Sequence, residues 1–247
     1  MKVIFSLIIC LCLSLTLCDD KLPVIDVYVE SLCPDCMDFI GGSFKNFFLN
    51  NDHSNLAQVN FYPYGNANEK FDGKKYVFTC QHGDNECYGN VVETCLMNKF
   101  DENGRHAMLI CIEGNIRNFD KDFDKTLEHC LPDPDIRNEI LTCAKGDEGN
   151  KLQHEVAQKT PKHNYVPWVE FNGEHDKEKE DQILANMLKF LCDISGQQIE
   201  GCQDVLSMMS FNSIRDKTCH NTWGAHLENV EDYHIHVTET LKFLDQH

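Results

Sequence analysis

Basic residues are scarce in this chain. Its 247 residues include 22 Lys and Arg against 40 Asp and Glu, which leaves a formal net charge of -18 at pH 7. Nucleic-acid phosphates and anionic membrane surfaces both need Lys and Arg as partners, so this charge argues against both as ligands. Hydrophobic residues make up 42% of the chain. That content excludes a wholly disordered protein, and the length allows one large domain or two small ones.

Long hydrophobic runs are missing after residue 18, so nothing later is long enough to cross a bilayer, which takes about 20 apolar residues. The one long run, Val3–Leu17, follows a lysine, and Thr16 and Cys18 lie at -3 and -1 of a possible cleavage point. This arrangement is typical of a secretory signal peptide, with a membrane anchor as the alternative. We therefore expect residues 1–18 to be removed and the mature chain to have no membrane contact.

Asn-x-Ser/Thr sequons are also missing, so a glycan-dependent route to the lysosome has no support in the sequence. Cysteine is abundant instead: of 14, three lie within residues 1–18 and 11 remain. Secreted chains use cysteine mainly as disulfides, and an odd number cannot all pair within one chain. At least one cysteine is therefore free, pairs between chains or does chemistry, and Cys219 is a candidate for the odd thiol.

A single CxxC, Cys33-Pro34-Asp35-Cys36, follows the alternating β-branched segment Val24–Glu30 and precedes an apolar pattern of helical spacing. The pattern predicts a strand that leads into a helix. Cys33 and Cys36 then share one face of the first turn and can form a disulfide. The helix N-terminus favours a thiolate at Cys33, which is predicted to be accessible and to attack first, with Cys36 as the resolving thiol.

Other uses of this CxxC are a zinc half-site and a structural disulfide. A four-cysteine zinc site needs a second CxxC, which the sequence lacks. The strand–CxxC–helix context favours redox chemistry. Glu30, three residues before Cys33, is a candidate acceptor for the Cys36 proton; the alternative is a solvated carboxylate at a strand end.

The segments around the CxxC predict an α/β protein. A strand at Ala57–Tyr64 would complete a βαβ unit of the kind that opens a thioredoxin-like domain. Residues 135–160 read as helical, capped by Asp135 and broken near two glycines. Between them, residues of about 66–131 form a Cys-rich, mainly helical insertion.

The remaining elements of that fold are predicted further along the chain. Tyr165–Phe171 reads as a strand that Pro167 opens, and the fold analogy expects that proline to be cis and to face the CxxC. Asn172-Gly173 is a strong hairpin signal. Glu178–Cys192 is an amphipathic helix, and Cys192 is a candidate partner for Cys202. The prediction is thus a thioredoxin-like fold over residues 19–202 and a C-terminal helical extension of unknown role over residues 203–247.

Eight positions in the insertion stand at fixed spacing, CQHG-x2-EC-x2-N-x4-C: Cys80, Gln81, His82, Gly83, Glu86, Cys87, Asn90 and Cys95. They match the signature of the gamma-interferon-inducible lysosomal thiol reductases (GILT), which the chain therefore resembles. Pro63–Ala67, Cys143–Asp147 and Tyr165–Val169 are similar to the family's PYGNA, CAxGD and YVPWV segments. The resemblance runs from about Leu22 to Cys202 and does not cover the extension.

The resemblance implies a thiol oxidoreductase, with no cofactor or metal, that reduces disulfides of protein substrates in acidic endocytic compartments. Cys33 and Cys36 would be the redox pair. The partners would be disulfide-bonded proteins and a small-thiol or protein reductant, and the location would be the lysosome or the extracellular space. For the CQHG segment we expect disulfides rather than a metal site. The alternatives are a non-catalytic disulfide-rich binding protein and a secretory-pathway disulfide oxidase or isomerase.

Overall fold

A computed structural model describes residues 21–49 and 56–195 together with Cys202. The expected signal peptide, residues 1–18, lies outside the described residues. So does the C-terminal extension, residues 203–247, which includes Cys219.

The described chain is a mixed α/β protein. Its strands are β1 (Val24–Val29), β2 (Gln58–Pro63), β3 (Asn68–Phe71), β4 (Tyr76–Thr79) and β5 (Trp168–Phe171). Its helices are α1 (Pro34–Phe39), α2 (Lys45–Leu49), α3 (Asp84–Lys99), α4 (Glu102–Asn115), α5 (Phe123–Cys130), α6 (Pro134–Lys145), α7 (Asp147–Lys159) and α8 (Lys177–Ile194). A π-helical stretch, Ile40–Phe44, joins α1 to α2, and a 3-10 turn, Ile116–Phe119, follows α4.

The larger sheet has the strand order β2-β1-β5. The middle strand, β1, runs parallel to β2 and antiparallel to β5, so that Val27 lies opposite both Phe61 and Val169. Ile25 and Val27 have no exposed surface, which explains why this strand is rich in β-branched residues. Parallel strands need a crossover connection, and the CxxC helix forms part of the one that joins β1 to β2, as expected.

The hairpin expected after β5 is almost absent. Asn172 and Gly173 adopt positive φ values of 54° and 78°, as the turn signal predicts. The returning chain pairs only through a bridge between Phe171 and Glu174. The Asp176 side chain accepts the N–H groups of Glu178 and Lys179 and so begins α8 at once, which leaves no residues for a second strand. The prediction of a further strand here was wrong.

The cap of α6 also differs from the prediction. Asp133, not Asp135, is the N-cap: its carboxylate accepts the N–H groups of Asp135 and Ile136 at 2.8 and 3.1 Å. Pro134 is then the first helical residue, where its missing N–H costs nothing. The break near the glycines is confirmed, because α7 begins directly after Gly146.

The β3–β4 hairpin was not expected from the sequence. Its strands have four residues each, too few for a clear alternation. Contacts with α7 stabilise it: the Asn150 side chain accepts the N–H of Tyr76 and donates to its carbonyl. The Tyr76 ring stacks on His154, with ring centroids 3.7 Å apart.

Two hydrophobic clusters meet at the CxxC turn. The first contains the sheet, α1 and α8, and it includes Cys33 and Cys36. The second lies among α3, α4, α5 and α6, and it includes Leu32 and Met37. The residues of this one turn therefore alternate between two cores, which fixes its position from both sides. None of the helices in the described ranges combines the length and the apolar content needed to span a membrane.

His106 is a buried histidine, and its protonation in acid destabilises the fold. Its ring packs edge-on against Phe44 and Phe61, and its Nε2 bonds the carbonyl of Val59 at 3.0 Å. Burial, with a smaller effect of Arg105, lowers the pKa of His106 to about 4. The folded pKa lies below the unfolded value of about 6.5. The stability that the neutral His106 ring contributes is therefore complete above about pH 6.5 and is lost as the pH falls through about 4.

We predict that His106→Gln flattens this acid dependence. The amide keeps a donor for Val59 but cannot be protonated, so wild type should lose about 3 kcal/mol more unfolding free energy than the variant between about pH 7 and pH 4. Urea unfolding at several pH values measures the difference. Parallel stability curves for the two proteins would contradict the prediction.

Candidate active site

The CxxC turn starts where β1 ends. Leu32 adopts a positive φ of 66°, an uncommon conformation for a residue with a branched side chain. Cys33 is the N-cap residue of α1, and Pro34 occupies the first helical position, as predicted. Because α1 begins here, Cys36 follows one turn later on the same face and turns into the first core.

The two thiols differ in environment. Neither is bonded to another cysteine among the described residues. Cys33 is 6% exposed and Cys36 has no exposed surface, while Pro34 and Asp35 between them are exposed. The sequence analysis expected an accessible Cys33, and its exposure is lower than that expectation. The reason is the packing of its turn between two cores, so a substrate must approach along the exposed Pro34–Asp35 edge.

The same hydrogen bond moves the pKa values of the two thiols in opposite directions. The pKa of Cys33 is lowered to about 7, chiefly because the Cys36 thiol donates to its sulfur; burial opposes this, the N–H groups of Cys36 and Asp35 assist, and the charge of Glu30 opposes. The pKa of Cys36 is raised well above its usual value by burial first and by this hydrogen bond second. These shifts favour ionisation of Cys33 over Cys36; that Cys33 is the attacking sulfur stays a prediction.

We predict that Cys36→Ala raises the pKa of Cys33 toward the free-thiol value of about 8.5, because the main stabilising donor is removed. Each unit of rise lowers the thiolate fraction roughly tenfold below the midpoint. The matched variant Cys36→Ser keeps a hydroxyl donor and should stay nearer to wild type. Rates of Cys33 alkylation against pH measure both. Equal midpoints in the two variants would show that the hydrogen bond is not the cause.

The signature helix α3 holds the loop that precedes Cys33. The Asn90 side chain accepts the backbone N–H of Ser31 at 2.8 Å, and the Ser31 hydroxyl donates to the carbonyl of Glu86 at 2.9 Å. Asn90 and Glu86 have no exposed surface. Two signature positions thus hold Ser31, two residues before Cys33, which the sequence analysis did not foresee.

Gly89 lies on the same face of α3. Because it has no side chain, the Phe123 ring and Ser31 can pack closely against the helix. A Cβ atom there would come within 2.2 Å of the Phe123 ring and 2.4 Å of the Ser31 hydroxyl. We predict that Gly89→Ala destabilises the fold by about 1–3 kcal/mol through overpacking. Gly114→Ala is the control, because nothing lies within 4 Å of its Cβ position; the better helix propensity of alanine should leave it neutral or slightly stabilised. Urea unfolding compares them, and equal effects would contradict the prediction.

Glu30 is buried at the end of β1. Its Oε2 accepts the N–H of Asn66 at 2.8 Å, and its Oε1 lies 3.6 Å from Nδ1 of His82. Gly65 passes so close that a Cβ there would be 2.4 Å from Oε2 of Glu30, which accounts for the glycine in the Pro63–Ala67 segment. Burial, and to a lesser degree the charge of Glu86, raise the pKa of Glu30, while the Asn66 hydrogen bond lowers it.

His82, Glu86 and Glu30 form a compact cluster whose potential ligand atoms lie within 4.8 Å of one another. The contacts are those of hydrogen bonding: Oε2 of Glu86 accepts both the backbone N–H and Nδ1 of His82, at 2.6 and 2.5 Å. Ligands of a tetrahedral zinc ion at about 2.1 Å would lie roughly 3.4 Å apart. The arrangement therefore orients His82 beside the CxxC turn without requiring a metal.

The signature cysteines are in disulfides, as expected for the CQHG segment. Cys80 bonds to Cys87 and closes the loop that contains His82, and Cys95 bonds to Cys143 and links α3 to α6. Two further bonds join Cys111 to Cys130 and Cys192 to Cys202, the latter as suspected. Gln81 and Gly83 lie in the exposed part of the loop, and Gly83 needs its positive φ of 88° to begin α3.

The loop before β5 lies beside the CxxC helix. The Val166–Pro167 bond is cis, as expected. Pro167 and Tyr165 line a cavity of about 350 Å³ together with Asp35 and Phe39 of the CxxC turn and helix. The structure thus brings Pro167 to the predicted site.

Glu180 anchors this loop, and no sequence pattern singles it out beyond its position in the first turn of α8. Its carboxylate is almost fully buried. It accepts the Tyr165 hydroxyl at 2.7 Å, the Val169 N–H at 3.0 Å and Nζ of Lys177 at 3.0 Å. Because Tyr165 and Val169 flank Pro167, one side chain fixes both ends of the loop.

Comparison with known proteins indicates the family of this chain. A family model described as gamma interferon inducible lysosomal thiol reductase (GILT) matches residues 24–134. The gamma-interferon-inducible lysosomal thiol reductase of Carassius auratus is 35% identical over 187 residues, which cover 72% of this chain and 71% of the relative. The Mus musculus protein of the same name is 35% identical over 178 residues, covering 69% and 66%. The gamma-interferon-responsive lysosomal thiol protein of Arabidopsis thaliana is 32% identical over 154 residues, covering 60% and 61%.

A CxxC pair at a strand–helix junction, with one thiol of lowered pKa, defines the class of thiol oxidoreductases. Within that class the chain belongs to the GILT family, as its 35% identity over more than two thirds of the Carassius auratus relative shows.

Proposed function

We propose that this protein reduces the disulfide bonds of protein substrates by thiol–disulfide exchange at Cys33 and Cys36. The observation that carries the proposal is the pair of opposite pKa shifts. Cys33 ionises near neutrality, whereas Cys36 keeps its proton. These are the properties of an attacking and a resolving thiol. The names of the relatives, which are thiol reductases, support the same activity.

The reaction has two exchanges. The Cys33 thiolate attacks one sulfur of the substrate disulfide, forms a mixed disulfide and releases the other sulfur as a thiolate. Cys36 then loses its proton and attacks Cys33, which releases the second substrate sulfur and leaves a Cys33–Cys36 disulfide. A small-thiol or protein reductant restores the pair, so that no cofactor enters the cycle.

The cavity between the CxxC turn and the Pro167 loop is the place we propose for the substrate chain. It is lined by side chains of both elements, Phe39 and Pro167 among them, and by Lys177 at the start of α8. Since Cys33 is only 6% exposed, a disulfide held inside a rigid domain cannot reach it. We therefore propose that the substrates present their disulfides on mobile or partly unfolded segments.

The thioredoxin-like classification also belongs to this proposal. Three observations support it: the crossover of the CxxC helix between parallel strands, the antiparallel third strand, and the cis proline beside the CxxC turn. For the location we propose the lysosome, in line with the relatives' names; the expected signal peptide leaves the extracellular space as the alternative. With a pKa of about 7, Cys33 would be about 1% thiolate near pH 5, against roughly 0.03% for a free thiol.

We predict that reduced wild type cleaves the disulfides of insulin or immunoglobulin between about pH 4.5 and 7, with a rate that rises about tenfold per pH unit because the thiolate fraction does. Cys33→Ser should abolish turnover. Cys36→Ser should form the mixed disulfide but fail to release it, so that the adduct is recovered intact by mass spectrometry.

Three outcomes would contradict the proposal. Wild-type activity that survives Cys33→Ser would place the chemistry elsewhere. Absence of both turnover and adduct would favour a binding protein in which the CxxC is structural. Faster formation than reduction of disulfides in the same assay would instead identify an oxidase or isomerase.

A further inference from the structure

The cluster of Glu30, His82 and Glu86 contains more buried acceptors than its hydrogen bonds use. Glu30 is 1% exposed and Glu86 has no exposed surface. One oxygen of each carboxylate is engaged, that of Glu30 by the N–H of Asn66 and that of Glu86 by His82. The other oxygen, Oε1 in both residues, is buried without a hydrogen-bond donor. Such acceptors are rare in folded proteins, and each one requires an explanation.

The charge of the cluster is also uncompensated. Among the residues that the structure describes, His82 is the only basic side chain paired with either glutamate. The N-terminus of α3 adds about half a positive charge, so two carboxylates face about one and a half positive charges even when His82 is protonated. Buried charges in proteins are paired or coordinate metals. In the absence of a cation, burial raises the pKa of Glu30 and shifts its carboxyl toward the protonated form.

The three potential ligand atoms lie close to the spacing that one metal ion requires. Ligands of a tetrahedral zinc ion, at about 2.1 Å from it, lie roughly 3.4 Å apart. Nδ1 of His82 is 3.6 Å from Oε1 of Glu30, which matches that spacing. Nδ1 is 2.5 Å from Oε2 of Glu86, the distance of a hydrogen bond. A rotation of the half-buried His82 ring that opens this second distance by about 0.9 Å completes the geometry.

The backbone brings the three side chains together from separate elements. Glu30 directly follows β1, and Glu86 lies in the first turn of α3. His82 lies in the loop between β4 and α3, which the Cys80–Cys87 disulfide closes. The side chain of His82 is 35% exposed, so an ion can enter from the loop side, with the two buried carboxylates behind it.

We propose that Glu30, His82 and Glu86 form a binding site for one divalent transition-metal ion of the zinc type. Nδ1 of His82 and one oxygen of each glutamate supply three ligands, and solvent on the exposed side of His82 supplies the fourth. An imidazole beside two carboxylates favours Zn²⁺ over Mg²⁺ and Ca²⁺, which prefer oxygen ligands alone.

The bound ion joins the disulfide-closed loop and α3 to the strand end from which the CxxC turn starts. It replaces the proton between His82 and Glu86 and neutralises the two carboxylates. The site takes no part in disulfide exchange, so this inference does not rest on the proposed function.

The test counts metal ions bound to the whole chain. The thiols of Cys33 and Cys36 and the five histidines of residues 203–247 also bind zinc-type ions. All proteins therefore carry Cys33→Ser and Cys36→Ser, and any remaining thiol is alkylated; this protein is the parent. Co²⁺ is titrated near pH 7 and followed by its visible absorption, and Zn²⁺ is then added to displace it. Histidines of the extension contribute equally to every variant.

We predict that His82→Gln removes one equivalent of tightly bound metal from the parent. The affinity of that equivalent should fall by more than about 100-fold, because loss of even an outer-shell partner costs about 10–100-fold. Glu30→Gln should have the same effect, and its amide oxygen can still accept the N–H of Asn66. The matched control is His154→Gln. His154 is also half-buried and lies 2.8 Å from Glu69, but within the described ranges it belongs to no three-ligand group, so the control should keep the parent stoichiometry.

Unfolding in urea gives a second measurement. Zn²⁺ should stabilise the parent and His154→Gln but not His82→Gln, because only a folded site binds the ion. If Glu30→Gln does not fold, Glu86→Gln replaces it.

Three outcomes would overturn the site: equal stoichiometry and affinity in the parent and His82→Gln, undiminished binding in both glutamate variants, or Mg²⁺ binding as tight as that of Zn²⁺. The last would indicate general attraction to an acidic chain. Because the parent lacks both active thiols, these outcomes are independent of whether the protein reduces disulfides.

Discussion

The site depends on the hydrogen bond that the buried side-chain amide of Asn90 makes with Ser31. The amide oxygen accepts the backbone N–H of Ser31, two residues before Cys33, and so joins the signature helix to the strand end that carries the thiols. An unpaired N–H at this depth would cost about 1–3 kcal/mol. Gly89 allows the close approach of Ser31 to α3, and the Cys95–Cys143 disulfide links α3 to α6. The signature positions thus support a turn that lies 59 residues before Asn90 in the chain.

Three buried glutamates of the described chain titrate in the sense that favours folding in an acidic medium. Burial raises the pKa values of Glu30, Glu93 and Glu113. Groups with raised folded values stabilise the fold fully below the unfolded value of about 4.3 and lose that contribution as the pH rises through the folded value. His106 acts in the opposite sense, because its folded pKa of about 4 withdraws stability in acid. Among the described residues, one buried histidine with a lowered pKa thus opposes three buried glutamates with raised pKa values.

Local patterns predicted the elements that carry the thiols. The β-branched run gave β1, the CxxC gave α1, and the fixed spacing of the signature gave the disulfide-bonded start of α3. Long-range packing was not predictable. The low exposure of Cys33, the β3–β4 hairpin and the loop anchor Glu180 all depend on residues distant in sequence.

One proton links the two halves of the reaction. The thiol hydrogen of Cys36 stabilises the Cys33 thiolate, and this same bond makes Cys36 harder to ionise. A stronger bond speeds the first exchange and delays the second, so a CxxC pair alone cannot optimise both steps.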